Sequence, residues 1–204
     1  MYSKFEEMRV IRQVFQNYTA ELKRDYEGYV AMLKDKSNEF PLDIDNDQAY
    51  KKIKTLQSTA DSLSSHLMEY QNALKIIGEL DKAIKCYTQA YSPEQLLSGG
   101  VAEQRAKEGN KIFYDIRTQN PVYKSIMSEI AYSLFVNHDS MIEDLGMDYD
   151  AKVESLEKNY AAGKISKEQL IYYTNMGWHL SQNPNYIEYM NKLQSEQEKQ
   201  TIHK

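Results

Sequence analysis

Between Asp45 and Tyr91 the chain places apolar side chains at Ile53, Leu56, Ala60, Leu63, Leu67, Tyr70, Leu74 and Ile77, with no proline in the stretch and no glycine before Gly78. This alternation of three and four keeps one stripe facing one way along a helix. Ile84, Tyr87 and Tyr91 resume the pattern after a slip at Leu80 and Asp81. One helix over 45–91 would be roughly 65–70 Å long, longer than a compact domain of this size is wide. A rod of that length cannot bury its own stripe, so it requires partners along its length.

The preceding segment is built alike. From Tyr2 to about Asp35, Phe5, Met8, Ile11, Phe15, Tyr18, Leu22, Tyr26, Tyr29 and Leu33 recur at the same spacing, which predicts a first long helix. It stops before Lys36-Ser-Asn-Glu-Phe-Pro-Leu-Asp43, where Pro41 lacks a donor and turns Phe40 away from helix. Asp45 is then placed as N-cap of the second helix, with Asp43 and Asp47 adding negative charge at its positive end. The two helices are expected to form an antiparallel, coiled-coil-like hairpin. The first is the shorter, so the Leu80 to Tyr91 end of the second needs another cover, from the C-terminal half or from a second copy of the chain.

Ser92-Pro-Glu-Gln95 reads as a helix start and Ser98-Gly99-Gly100 as a hinge, giving a hairpin over 1–98 and a C-terminal helical assembly over 99–204. Gly109-Asn110 is expected to split Val101–Gln119 into two short helices. Asn120-Pro121 opens a helix with a wide apolar face (Val122, Ile126, Ile130, Leu134, Met141, Leu145), closed by Gly146. Asp150 to Ala162 is a shorter helix with Val153, Leu156 and Tyr160 inward, ended by Gly163. Ser166-Lys-Glu-Gln169 is a capping box stapled by Ile165 and Leu170, and its helix runs to about Leu180. Asn183-Pro184 starts the last helix, whose polar end after Leu193 is expected to fray. The stretch Gly163-Lys-Ile-Ser-Lys-Glu-Gln-Leu170 is similar to the hairpin of short C-terminal oligomerisation modules of the SHOCT type; the similarity is confined to that hairpin and carries no function over. The expected fold class is all-α.

Composition narrows the chemistry. A net charge of −5 argues against binding nucleic acid through bulk electrostatics. Cys86 is the single cysteine, so no intramolecular disulfide forms. The first residues lack a secretory apolar run, and no run approaches the roughly 18 residues that span a bilayer. The expectation is a cytoplasmic protein with no membrane association, although a leaderless export route would leave no mark.

No catalytic, metal or cofactor constellation emerges. Asp43, Asp45 and Asp47 imitate the first three ligands of a calcium loop, but Gln48 stands where glycine is needed and Lys54 where a bidentate glutamate is needed, so helix capping accounts for them better. The acidic group Asp139, Glu143, Asp144, Asp148 and Asp150 has no ligand spacing and reads as a solvated face. None of His66, His138, His179 and His203 follows a glutamate by three, as a di-iron bundle requires. Cys86, between Ile84 and Tyr87, reads as a small buried hydrophobe. Gly99-Gly100 and Gly109-Asn-Lys111 lack the spacing of a phosphate loop.

Seventeen tyrosines are well above an average share, and Tyr172, Tyr173, Trp178, Tyr186 and Tyr189 cluster near the end. Such residues serve helix packing or a partner surface equally well. The expected function is therefore non-enzymatic: a protein–protein interaction module (adaptor, chaperone-like binder or inhibitor) that associates as a homodimer. Its candidate contacts are Ile84, Tyr87, Tyr91, Tyr172, Tyr173, Trp178, Tyr186 and Tyr189. Two alternatives are a helical enzyme using His138, Arg105, Arg117 and Tyr114, and a nucleic-acid or nucleotide-sensing module using Arg105, Lys107, Lys111 and Arg117.

Overall fold

A computed structural model describes residues 2–38, 45–90, 101–142 and 148–202. Among them the chain is all-α, with seven helices: α1 Lys4–Asn38, α2 Asn46–Ala90, α3 Val101–Gln119, α4 Pro121–Val136, α5 Tyr149–Ala161, α6 Lys167–Ser181 and α7 Pro184–Ile202. Tyr91, the 92–95 start signal, the Gly99-Gly100 hinge, Asp43 and Gly146 lie outside the described residues.

α1 and α2 pack against each other as the expected antiparallel hairpin. α1 begins with a capping box that sequence reading missed: the Glu6 amide donates to Ser3 Oγ (3.1 Å) and the Ser3 amide to Glu6 Oε2 (2.8 Å). α2 begins where Asp45 Oδ1 accepts from the Gln48 amide at 2.8 Å, the N-cap that the sequence places there. At about 1.5 Å per residue its 45 residues correspond to about 68 Å of helix.

The residues divide into two compact units, Arg12–Lys82 and Met1–Ile11 with Ala83–Lys204. In the first, Arg12 pairs with Asp81, Tyr18 donates to Glu69 at 3.2 Å, and Tyr29 sets its ring edge on His66 at 5.0 Å. Rising numbers on α1 meet falling numbers on α2, which fixes the antiparallel sense. Val14, Phe15, Thr19 and Leu22 are buried on α1, but no described residue of α1 beyond Leu22 is.

The second unit has a fuller core. α6 is its hub, packing on α4, α5 and α7, and Leu170, Ile171, Met176 and Leu180 are all but inaccessible. Facing them on α4 are Tyr123, Ile126, Met127 and Ala131. Asn183 closes the junction: its Oδ1 caps α7 through the Asn185 and Tyr186 amides, and its Nδ2 donates to Ser128 Oγ on α4 at 2.8 Å. The Ser166 capping box forms with both reciprocal bonds. Gly163, at φ 70°, ends α5 in the left-handed turn that glycine accepts without strain.

Two expectations are corrected. Val101–Gln119 is one helix rather than two, because Gly109 lies on its buried face against α2: a Cβ there would stand 2.9 Å from the Ala83 carbonyl oxygen, 2.9 Å from Tyr87 Cδ2 and 3.1 Å from Cys86 Cβ. The glycine permits close helix contact and does not break the helix. α4 stops at Val136, before Met141 and Leu145, because His138 turns left-handed (φ 56°) and the chain folds back with His138 N–H donating to Phe135 O and Asp139 N–H to Leu134 O. The last helix continues through the polar tail to Ile202.

Candidate functional site

The expected contact residues at the end of α2 are largely spent inside the chain. Leu80, Ala83, Tyr87 and Ala90 are buried, Ile84 is half-buried, and the Tyr87 hydroxyl bonds Asn110 of α3. Phe5 of α1 stacks on the Tyr87 ring with centroids 5.8 Å apart. The C-terminal half thus supplies the cover that this end requires, and Gly109 makes the close approach possible. Cys86 is half-buried beside it.

The C-terminal aromatics separate by role. Tyr186 is buried, meeting Phe135 edge-on at 4.9 Å. Tyr173 donates to Asp139 Oδ2 at 3.0 Å; burial first, then this carboxylate, pushes its phenol up to about 12. Tyr172 is half-buried with its ring edge on Tyr173. Trp178 and Tyr189 remain exposed, Trp178 against Tyr149 at 5.7 Å and Tyr189 against Phe135 at 5.4 Å. Asp139 also accepts from the Met141 amide and Asp148 caps α5, so two members of the acidic group are turn and cap residues.

A cleft of about 330 Å³ opens between the start of α1, α3, α5 and α6, lined by Tyr2, Lys4, Glu7, Arg117, Tyr149, Thr174, Asn175 and Trp178. At its floor the buried Glu7 carboxylate is held by Arg117 Nη1 at 2.8 Å and Lys4 Nζ at 3.0 Å. Burial, then the Glu7 charge, pushes the Tyr2 phenol up to about 12, and burial raises Tyr149 as well. Both phenols therefore stay protonated at neutral pH and act as donors rather than bases. The Tyr149 hydroxyl donates to the Thr174 carbonyl at 3.2 Å, and Tyr2 approaches the buried Thr174 hydroxyl. The cleft binds the chain's own elements together. Glu7 falls four residues before Ile11 on the apolar stripe of α1, a signal of a buried acid in need of a cation.

Of the residues named for an enzymatic alternative, only Arg117 lines this cleft. Arg105 donates to Gln89 at 2.8 Å, Tyr114 points into solvent, and His138 is an exposed turn residue. Lys107 pairs with Glu103 at 3.0 Å. Among the described residues, no three His, Cys, Asp or Glu gather as a metal ion would need, and no helix is long and apolar enough to cross a membrane.

The surface that stands out lies in the Arg12–Lys82 unit. The stripe that sequence reading assigns to the hairpin seam is not the face that α1 takes. α1 lies on a neighbouring face of α2, where Thr59, Ala73, Ile76 and Leu80 are buried and His66 and Glu69 meet Asp25, Tyr29 and Tyr18. The apolar stripe sits about a third of a turn round the helix, at 100° per residue. Ile53, Leu67 and Leu74 are 54%, 41% and 44% exposed, and Ala60 is exposed with them. Leu56, Leu63, Tyr70 and Ile77 are half-buried, and Leu67 and Tyr70 share a groove with α1. That groove is a cleft of about 250 Å³ lined by Lys23, Tyr26, Glu27, Leu67 and Tyr70.

Comparison with protein-family models, curated proteins and solved structures returned no match to this chain.

Proposed function

We propose that this chain is a non-enzymatic protein–protein interaction module, an adaptor, chaperone-like binder or inhibitor, which works in the cytosol by laying the bare stripe of α2 against a helix of a partner. One observation carries the reading: of eight apolar positions at heptad spacing along α2, Ile53 to Ile77, four (Ile53, Ala60, Leu67 and Leu74) are exposed and the other four are only half-buried, while the positions that α1 buries fully lie on a neighbouring face. Isolated exposed leucines are ordinary on a surface, but a stripe of them in coiled-coil register is a docking face. At about 25 cal/mol per Å² of apolar surface, covering it returns several kcal/mol, comparable with the stability of a whole domain.

A photoreactive side chain at position 67, compared in living cells with one at position 65 on the outward face of the same helix, tests this. Discrete protein adducts from 67 and none from 65 are expected. Equal labelling at the two positions, or no adduct from 67, would remove the reading.

A further inference from the structure

Resting on that reading, we infer that the occupant of the stripe is a second copy of this chain, with the two α2 helices antiparallel and related by a two-fold axis level with Ser65. In antiparallel coiled coils an a position of one helix shares a layer with a d position of the other. Here the a positions are Ile53, Ala60, Leu67 and Leu74, and the d positions are Leu56, Leu63, Tyr70 and Ile77. Reversing the stripe about Ser65 maps it onto itself, so its four pairings, each occurring twice across the two-fold axis, close with nothing left over.

The layers also match by size. Leu67 meets Leu63 of the other copy, Leu74 meets Leu56, and Ile53 meets Ile77. Ala60, the smallest residue of the stripe, meets Tyr70, the largest. A parallel in-register pair would instead set Tyr70 on Tyr70 and Ala60 on Ala60, giving one crowded layer and one hollow one.

The flank agrees. On the side of the stripe away from α1 stand Tyr50, Gln57, Ser64, Gln71 and Gly78, with no charge among them, so identical copies meet there without repulsion. Gln57 faces Gln71 of the other copy, each amide both donor and acceptor. Tyr50, 58% exposed, falls over Gly78, where a Cβ would meet nothing within 4 Å. At the edge of the groove Lys23 and Glu27 already neutralise each other. Tyr50, Ile53, Leu67 and Leu74, 58%, 54%, 41% and 44% exposed, are the large side chains that this pairing would cover.

The test uses the full chain with Cys86→Ala and either Gln57→Cys or Gln71→Cys, treated with a short bis-maleimide. Antiparallel pairing predicts covalent dimers in an equimolar mixture of the two variants and none in either alone; adding Leu67→Lys to both should abolish them. Parallel pairing would set position 57, and likewise 71, on opposite sides of the seam in the two copies and leave 57 and 71 roughly 21 Å apart along the axis, so neither variant nor the mixture would cross-link and the proposal would fall. Self-cross-linking, or a mixed product indifferent to Leu67→Lys, overturns the proposal. A chain that stays monomeric at high concentration also overturns it; discrete adducts from position 67 to a different protein would then leave the interaction reading standing, whereas their absence would remove both.

Discussion

Gly109→Ala separates two physical effects that act in opposite directions. In an exposed helix interior, alanine in place of glycine stabilises by about 1 kcal/mol because it restricts the unfolded chain. At Gly109 the new methyl would stand 2.9 Å from the Ala83 carbonyl oxygen, 2.9 Å from Tyr87 Cδ2 and 3.1 Å from Cys86 Cβ. Two of the three obstacles, the carbonyl and the Cβ, sit on or beside the α2 backbone, so relief requires α3 to move away from α2. Overpacking of this kind costs about 1–3 kcal/mol, and the parting helices forfeit some of their packing besides. The expected net loss is about 2 kcal/mol after the propensity gain. Gly28→Ala is the internal control, since nothing lies within 4 Å of its added Cβ, and it should stabilise by about 1 kcal/mol. Urea unfolding of wild type and both variants, followed by circular dichroism, reads both signs. Gly109→Ala stabilising as Gly28→Ala does would refute the close packing of α3 on the end of α2.

Other consequences are as direct. Replacing His138, at φ 56°, by glycine should stabilise by about 1 kcal/mol in the same denaturation assay, because the left-handed turn strains any side chain with a Cβ. Arg117→Met should destabilise by about 2 kcal/mol, less than for a fully buried pair because Arg117 is part-exposed and Lys4 remains; adding Glu7→Gln should recover most of the loss, as a double-mutant cycle would show. Burial first, then Arg117 and Lys124, holds His179 down at about 4 instead of 6.5. The unfolded chain therefore takes up a proton that the folded chain refuses, so this contribution is whole above pH 6.5 and is lost as pH falls from 6.5 toward 4. Urea midpoints at pH 7.5 and 4.5 should show a loss on the order of 2 kcal/mol that His179→Gln abolishes.

Local signals were legible in the sequence wherever one residue type has one use. Asp45 and Ser166 cap helices, Gly163 turns left-handed, and Pro121 and Pro184 start helices because each has few other roles there. Gly109 was misread because a glycine that ends a helix and one that admits a neighbouring helix look alike until the neighbour is known. His138 hid the end of α4 because histidine enters the left-handed region far less often than glycine and so marks a helix end only weakly. For α2 the hydrophobic pattern identified the helix and its most apolar face correctly but not the partner of that face. α1 took the neighbouring face, where Ala73, Ile76 and Leu80 are buried and His66 and Glu69 find partners, and a pattern of apolar letters cannot register those polar contacts. The cleft around Glu7 draws on four helices far apart in sequence, and only the misplaced acid on the stripe of α1 hinted at it.

Light scattering or sedimentation of the purified chain from about 1 to 100 μM, at or above the micromolar-to-picomolar range in which specific interfaces dissociate, tests the central claim most directly. The mass should rise to twice the 23.8 kDa of one chain, and Leu67→Lys with Leu74→Lys, both at exposed positions, should hold it at one chain without loss of helix. A wild-type mass of one chain throughout, or a doubled mass that survives both substitutions, would contradict the account.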